Sequence, residues 1–318
     1  MKVPNIDYAV DNFALGGGHA TGSYEGPSPD ILRLVNNVAT QGSILNFAEN
    51  APCKDCAYSL SFYGPLVRCN QLAGNWSNLI TTTVSNWTTT ANYEEDVPLY
   101  SAFVPSIVED SNFTAAFIGG LNALYKNDFL PIDANSTDYS KLFINYYSSN
   151  SHGLECGLYN ASYEVDFNFN NGTQSVNLAN LTYLNGVAYA DYSTYQLLEG
   201  FNLTDYPQLP NNETVQAGLR YDMSVAAYQA VMQSLNSILV GHMEQSSADS
   251  GVLISNIRIL SSCLSTSPEL GDIVGAMTQF SADPNAPSIS SSNVPLAQAI
   301  QELSQNITMS LFSSPDYL

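Results

Sequence analysis

Ten asparagines stand in the pattern Asn-X-Ser/Thr: Asn75, Asn86, Asn112, Asn135, Asn160, Asn171, Asn180, Asn202, Asn212 and Asn306. The pattern is the acceptor of N-linked sugar, with the asparagine amide as attachment point and a hydroxyl two residues on. The chain holds 32 Asn and 56 Ser plus Thr among 318 residues, so chance alone supplies about 5 or 6 such triplets. A sugar must reach water, so the side chains of used sites must face out. The excess over chance predicts a chain matured in the secretory pathway, with N-linked glycans as its covalent partners.

Five cysteines, Cys53, Cys56, Cys69, Cys156 and Cys263, fit the same compartment, where thiols oxidise to disulfides. Cys53-Lys54-Asp55-Cys56 has the CxxC spacing of redox sites and half zinc knuckles. No second CxxC supports zinc, and no βαβ unit opens a helix at the motif, so a structural bridge is expected. Cys56 and Cys69 bracket a hairpin-sized loop whose closure contributes roughly 3 kcal/mol by loop entropy. An odd total leaves one thiol over, free or joined to another chain.

Motifs for catalysis are incomplete. His19, His152 and His242 are far apart and none has a metal-ligand spacing. Gly16-Gly17-Gly18-His19 resembles the oxyanion loop of esterases, but no Gly-X-Ser-X-Gly elbow accompanies it. Asp249-Ser250-Gly251 occurs once, where aspartic proteases need two aspartates sharing a proton. Glu94-Glu95-Asp96 and Glu109-Asp110 offer paired carboxylates for glycoside hydrolysis or calcium. In a chain of net charge −21 such clusters more often form solvated surface. No catalytic residue, metal ligand or cofactor is expected.

The balance of 29 acidic to 8 basic residues repels phosphate backbones and anionic lipid, which excludes nucleic-acid binding and polybasic membrane attachment. Hydrophobic residues make up 45% of the chain, enough for a large core. No run of about 18 apolar residues predicts a membrane-spanning segment. Residues 1–7 carry no apolar signal region, so the chain reads as a fragment or a trimmed mature form.

The elements that position these groups predict an α+β fold, with antiparallel hairpins first and helices after. Residues 1–30 read as a flexible arm, 31–185 as a strand-rich region and 186–318 as a helical region, together forming one ectodomain. Asp30 is expected to cap a helix carrying Ile31, Leu34, Val35 and Val38. Ser43–Ala48 and Tyr58–Cys69 read as strands, and the Thr-rich stretch from Asn75 to Thr90 as a loop or polar strand edge. Residues 99–125 and 139–148 hold apolar runs of either type. From Leu158 to Phe169 apolar and polar residues alternate, which places Asn160, Glu164 and Asp166 on an outward face. Asn170-Asn171-Gly172 supplies a hairpin turn, and the parity change that follows predicts a bulge near Ala179. A helix is expected over Glu213–Met243 and another after Pro295, with Leu296, Ile300, Leu303 and Ile307 inward and Asn306, Glu302 and Ser310 outward.

Several segments carry a family resemblance: Tyr24-Glu25-Gly26-Pro27-Ser28-Pro29, Leu32–Val35, Gln41–Leu45, Ala57–Cys69, Cys156–Phe169, Leu260–Glu269 and Leu296–Leu311. In this order the chain resembles the extracellular region of uncharacterised multi-pass membrane glycoproteins of filamentous ascomycete fungi. The resemblance implies hydrophobic helices flanking an extracellular, glycosylated domain in the parent protein. It brings no activity, ligand or catalytic residue. The chain lacks a cysteine shortly before Leu296 and has the Cys53/Cys56 pair, which departs from the pattern.

The expected function is therefore a non-enzymatic, N-glycosylated extracellular domain of a fungal surface or membrane protein, serving wall contact, adhesion, sensing or assembly. The alternatives are a secreted carboxylate-dependent hydrolase of cell-wall polysaccharide or ester, and a self-assembling structural glycoprotein that forms homo-oligomers through the odd thiol or the arm.

Overall fold

A computed structural model describes residues 27–47, 53–90, 97–105, 113–126, 141–146, 153–187, 213–245, 252–255, 257–271, 273 and 292–313. The fold is α+β. Among these residues seven strands form one antiparallel sheet: β1 (Cys56–Gln71), β2 (Val97–Phe103), β3 (Lys141–Tyr146), β4 (Leu154–Asn170), β5 (Thr173–Gly186), β6 (Gly241–Gln245) and β7 (Val252–Ser255). The spatial order is β1-β4-β3-β2-β6-β7, with β5 also paired to β4. The helices that accompany the sheet include α1 (Pro29–Gln41), α2 (Gly74–Thr90), α3 (Phe113–Lys126), α4 (Glu213–Leu239) and α5 (Leu296–Ser310). The expected arm lies outside the described residues, apart from Pro27 to Asp30 at the start of α1.

The long strand β4 divides the sheet into a body and an arm. β1 pairs with it along its whole length, from Cys56↔Phe169 to Gln71↔Leu154. On the other side β3 takes only Leu154–Gly157, and β5 takes Tyr159–Asn170. Residues in register share a face. One face of the body carries Val67, Cys156, Leu158, Leu142, Ile144, Tyr100 and Ala102 against α1, α4 and α5. The opposite face carries Phe103 and Phe143 against Phe117, Leu121, Trp76 and Ile80 of α3 and α2. In the arm that second face is aromatic, with Tyr58, Phe62, Tyr163, Phe167 and Phe169 under Phe47, Met309 and Phe312.

Local chemistry fixes the helix ends. Ser28, and not Asp30, caps α1: its hydroxyl accepts from the Ile31 amide at 3.4 Å, with Pro29 in the first turn where its missing N–H is harmless. Gly42 ends the helix at φ 69, and a Cβ there would stand 2.9 Å from Cys263 Cβ, so both backbone and space require glycine. The stretch expected to be a loop or strand edge is helix α2. Thr has low helix propensity, yet Trp76, Leu79 and Ile80 recur at i, i+3 and i+4 and pack on the phenylalanine cluster, so burial overrides it. Helix α4 stops at Leu239, and Met243 lies on β6. From Ala227 to Leu239 it is buried nearly all round, because the sheet lies on one side and α1 on another.

Part of the β1 edge is closed by side chains. Helix α5 runs along β1, where Ser304 Oγ accepts from the Val67 amide at 2.9 Å and Thr308 Oγ1 donates to the Pro65 carbonyl at 2.6 Å. Val67 points its N–H off the sheet, and Pro65, two residues earlier, shares that direction, so its missing donor breaks no ladder bond. Residues Ile44–Phe47 form no strand. Ser310 Oγ accepts from the Leu45 amide, and the Gln174 side chain bonds both the Phe47 amide and the Leu45 carbonyl. Ser310, expected outward, is fully buried in this role.

Burial holds two phenols far above the ordinary tyrosine value of 10.0. Tyr100 Oη donates to the Leu239 carbonyl at 2.7 Å and Tyr163 Oη to the Pro65 carbonyl at 2.9 Å. Around and above pH 10 the unfolded chain loses these protons while the folded chain keeps them, so stability falls as pH rises through this range. Urea midpoints at pH 9, 10 and 11 are expected to drop across both intervals, about three times as much across the last, with the final phenolate absorbance appearing together with unfolding. Full tyrosine ionisation with unchanged circular dichroism is the contrary result.

Candidate functional site

The arm leaves one broad face open. Its rows run across β1, β4 and β5 as Ala57–Asn168–Ser175, Ser59–Asp166–Asn177, Ser61–Glu164–Asn180 and Tyr63–Ser162–Thr182. All these side chains are exposed except the half-buried Ser162, and Tyr63 is 55% exposed. Alternation puts small hydroxyl, amide and carboxylate groups on this face because the aromatic face opposite takes every large apolar residue. Ser59 Oγ donates to Asp166 Oδ1 at 2.5 Å, which ties two strands on the open side.

The turn at its tip is the one expected. Asn171 and Gly172 take φ 50 and 77, the two positive values a two-residue type I′ hairpin needs. Asp55 Oδ1 accepts from the Asn171 amide at 2.8 Å. Asp55 lies in the short loop closed by a Cys53–Cys56 disulfide, so the bridge steadies the tip. The bulge falls at Ala179: Glu164 faces Asn180 and Val165 faces Leu178, which leaves Ala179 between them. A second irregularity leaves Leu184 between Tyr183 and Asn185.

The sequons separate by place. Asn75, near the start of α2, Asn171 at the tip and Asn180 on β5 are exposed. Asn86 lies on α2. Asn112, Asn135, Asn202 and Asn212 lie outside the described residues. Asn160 and Asn306 differ from the outward expectation. Asn160 does sit on the polar side of β4, but α4 covers that end and Tyr228 Oη donates to its Oδ1 at 2.9 Å. Asn306 is half-buried because α5 packs on α1, and its Nδ2 donates to the Gly42 carbonyl at 3.3 Å.

Cysteine pairing corrects the expected Cys56–Cys69 bridge. β1 is one uninterrupted strand, so these residues stand at its two ends, roughly 40 Å apart. Cys69 instead joins its cross-strand partner Cys156, and Cys56 joins Cys53. Cys263 is left unpaired beside Gly42, and burial raises its thiol pKa, which keeps it protonated and unreactive.

Little of the candidate catalytic chemistry falls on described residues. His19, His152, Gly16–Gly18, Glu94–Asp96, Glu109-Asp110 and Asp249–Gly251 lie outside them. His242 lies buried on β6, and burial lowers its imidazole pKa. Among the described residues no three His, Cys, Asp or Glu side chains converge as metal ligands. No described helix is long and apolar enough to cross a membrane. Glu164 and Asp166 do share a face about 7 Å apart along β4. Both are exposed, and among the described residues no cleft wall encloses them, whereas glycoside hydrolysis needs its two carboxylates on either side of an enclosed bond.

Sequence reading identified the β4 half of this face but not Ser59, Ser61 and Tyr63, which join it only through the β1–β4 register. Their own alternation with Tyr58, Leu60 and Phe62 was the available signal. No protein-family model, curated protein or solved structure matches this chain.

Proposed function

We propose that this chain is a non-enzymatic, N-glycosylated extracellular domain of a fungal surface or membrane protein, presenting the open face of its sheet for wall contact, adhesion or sensing. The observation that carries this reading is the exposure of Asn75, Asn171 and Asn180, two of them at the open end of the sheet. Two disulfides agree with an oxidising compartment. The exposed hydroxyl, amide and carboxylate groups that β1 and β4 bring to this face, with Tyr63, suit hydrogen bonding to polyols alongside the sugar-bearing β5. The resemblance to extracellular regions of ascomycete membrane glycoproteins supplies the cellular setting.

The test is a secreted preparation from a fungal host, weighed intact before and after glycosidase treatment, then incubated with purified wall polysaccharides. The expected outcome is a mass loss of several glycans, retention on at least one insoluble polysaccharide and no release of sugar or acid. Retention is expected to weaken at least fivefold in Tyr63→Ala. The hydrolase alternative requires turnover of polysaccharide or ester by the purified chain, and any such turnover would overturn the proposal.

A further inference from the structure

We propose that an N-linked glycan on Asn180 guards the outer edge of β5 against strand pairing with a second copy of this chain; this rests on the glycosylated reading above. Three strands, β1, β5 and β7, stand at edges of the sheet, and the fold shields the first in part and keeps the last short. On β1, α5 covers the Pro65–Val67 stretch, where the Thr308 and Ser304 hydroxyls take an outward carbonyl and amide. β7 is only four residues long. β5 is different: it runs for 14 residues and, among the described residues, pairs with β4 alone.

Edge strands ordinarily carry charges, prolines or bulges that discourage a further strand. The sequence of β5, TQSVNLANLTYLNG, contains no Asp, Glu, Lys, Arg or Pro. It does contain Val176, Leu178, Leu181, Thr182 and Tyr183, residues that favour strands, so it has the makings of a self-pairing segment. Its bulges at Ala179 and Leu184 are the only guards of the usual kind among the described residues. Asn180-Leu181-Thr182 sits in the centre of this strand, directly after the first bulge, with Asn180 and Thr182 exposed on the open face.

A strand added outside β5 would place its own side chains about 5 Å from Asn180 on that face. A branched sugar attached there fills that space. The glycan therefore supplies the obstruction that a lysine or proline supplies on other edges. Asn171 carries the same acceptor chemistry at the hairpin tip, beyond the paired edge, and serves as the control.

The experiment maps glycans by peptide mass spectrometry on the secreted chain, then measures sedimentation of the wild type, Asn180→Gln, Thr182→Ala and Asn171→Gln at matched concentrations. Both β5 variants are expected to shift from monomer to dimer or larger species, while the wild type and Asn171→Gln stay monomeric. Adding Asn177→Lys to Asn180→Gln is expected to restore the monomer. Should the β5 variants fail to fold, trimming the folded wild type with an endoglycosidase that leaves one sugar residue gives the same comparison. A bare Asn180 beside sugar on Asn75 and Asn171 overturns the inference alone, whereas sugar on none of the three overturns the reading beneath it as well. A mapped glycan whose removal leaves the chain monomeric overturns the inference alone.

Discussion

Replacing Cys69 and Cys156 together by alanine lowers the unfolding free energy by about 4–5 kcal/mol, while replacing Cys53 and Cys56 lowers it by about 2 kcal/mol at most. The difference follows from the chain each bridge closes. Cys69 and Cys156 are 87 positions apart, so their link removes many conformations from the unfolded chain; Cys53 and Cys56 are 3 apart and remove few. Position adds to the contrast. Cys156 is fully buried within the main core, whereas Cys53–Cys56 is half-exposed near the hairpin tip. Urea unfolding under non-reducing conditions measures both. Equal losses, or a larger loss for the short bridge, would contradict the pairing and the register that sets it.

Phe143→Ala is expected to cost about 3–5 kcal/mol, the range for truncating a fully buried phenylalanine. Phe143 lies 4.7 Å from Phe117 and 5.8 Å from Phe103 between ring centroids, and Phe103 and Phe117 are 5.0 Å apart. All three are at most 1% exposed. The cluster joins β2 and β3 to α3, and Trp76 of α2 lies against Phe117 at 4.7 Å. Its loss should therefore loosen α2 and α3 more than α1 and α5, which pack on the opposite face. Hydrogen exchange reads this directly: amides of α2 and α3 should lose protection first. Uniform loss across all helices would mean that the two faces do not behave as separate layers.

The parts of the fold legible in sequence are those set by neighbours along the chain. The period of two from Leu158 to Phe169 defined β4, Asn171-Gly172 defined the turn, and the parity change located the bulge at Ala179. Helix α5 followed from its apolar spacing after Pro295. What remained hidden depends on residues far apart. The Cys69–Cys156 bridge requires the β1–β4 register, and the burial of Ser310, Thr308 and Asn306 requires α5 to lie against β1 and α1. The Ser310 hydroxyl, expected on a solvated helix face, acts with those of Ser304 and Thr308 as a partner of the edge strand and its neighbouring segment. For α2, threonine propensity concealed a helix that burial of Trp76 and Ile80 enforces. The end of α4 was marked only by Val240-Gly241, a weak punctuation inside a continuous apolar pattern.

The polar face was half visible for the same reason. Asn171 and Asn180 follow from local pattern and stand exposed, whereas Asn160 lies under Tyr228 because a distant helix crosses β4 there. Site-resolved occupancy of the secreted chain, by isotopic labelling of each asparagine during enzymatic sugar release, tests the central proposal most directly. Sugar on Asn75, Asn171 and Asn180, with Asn160 and Asn306 largely unmodified, is the expected result. Bare Asn171 and Asn180 on a correctly folded chain that has passed through a secretory pathway would contradict it.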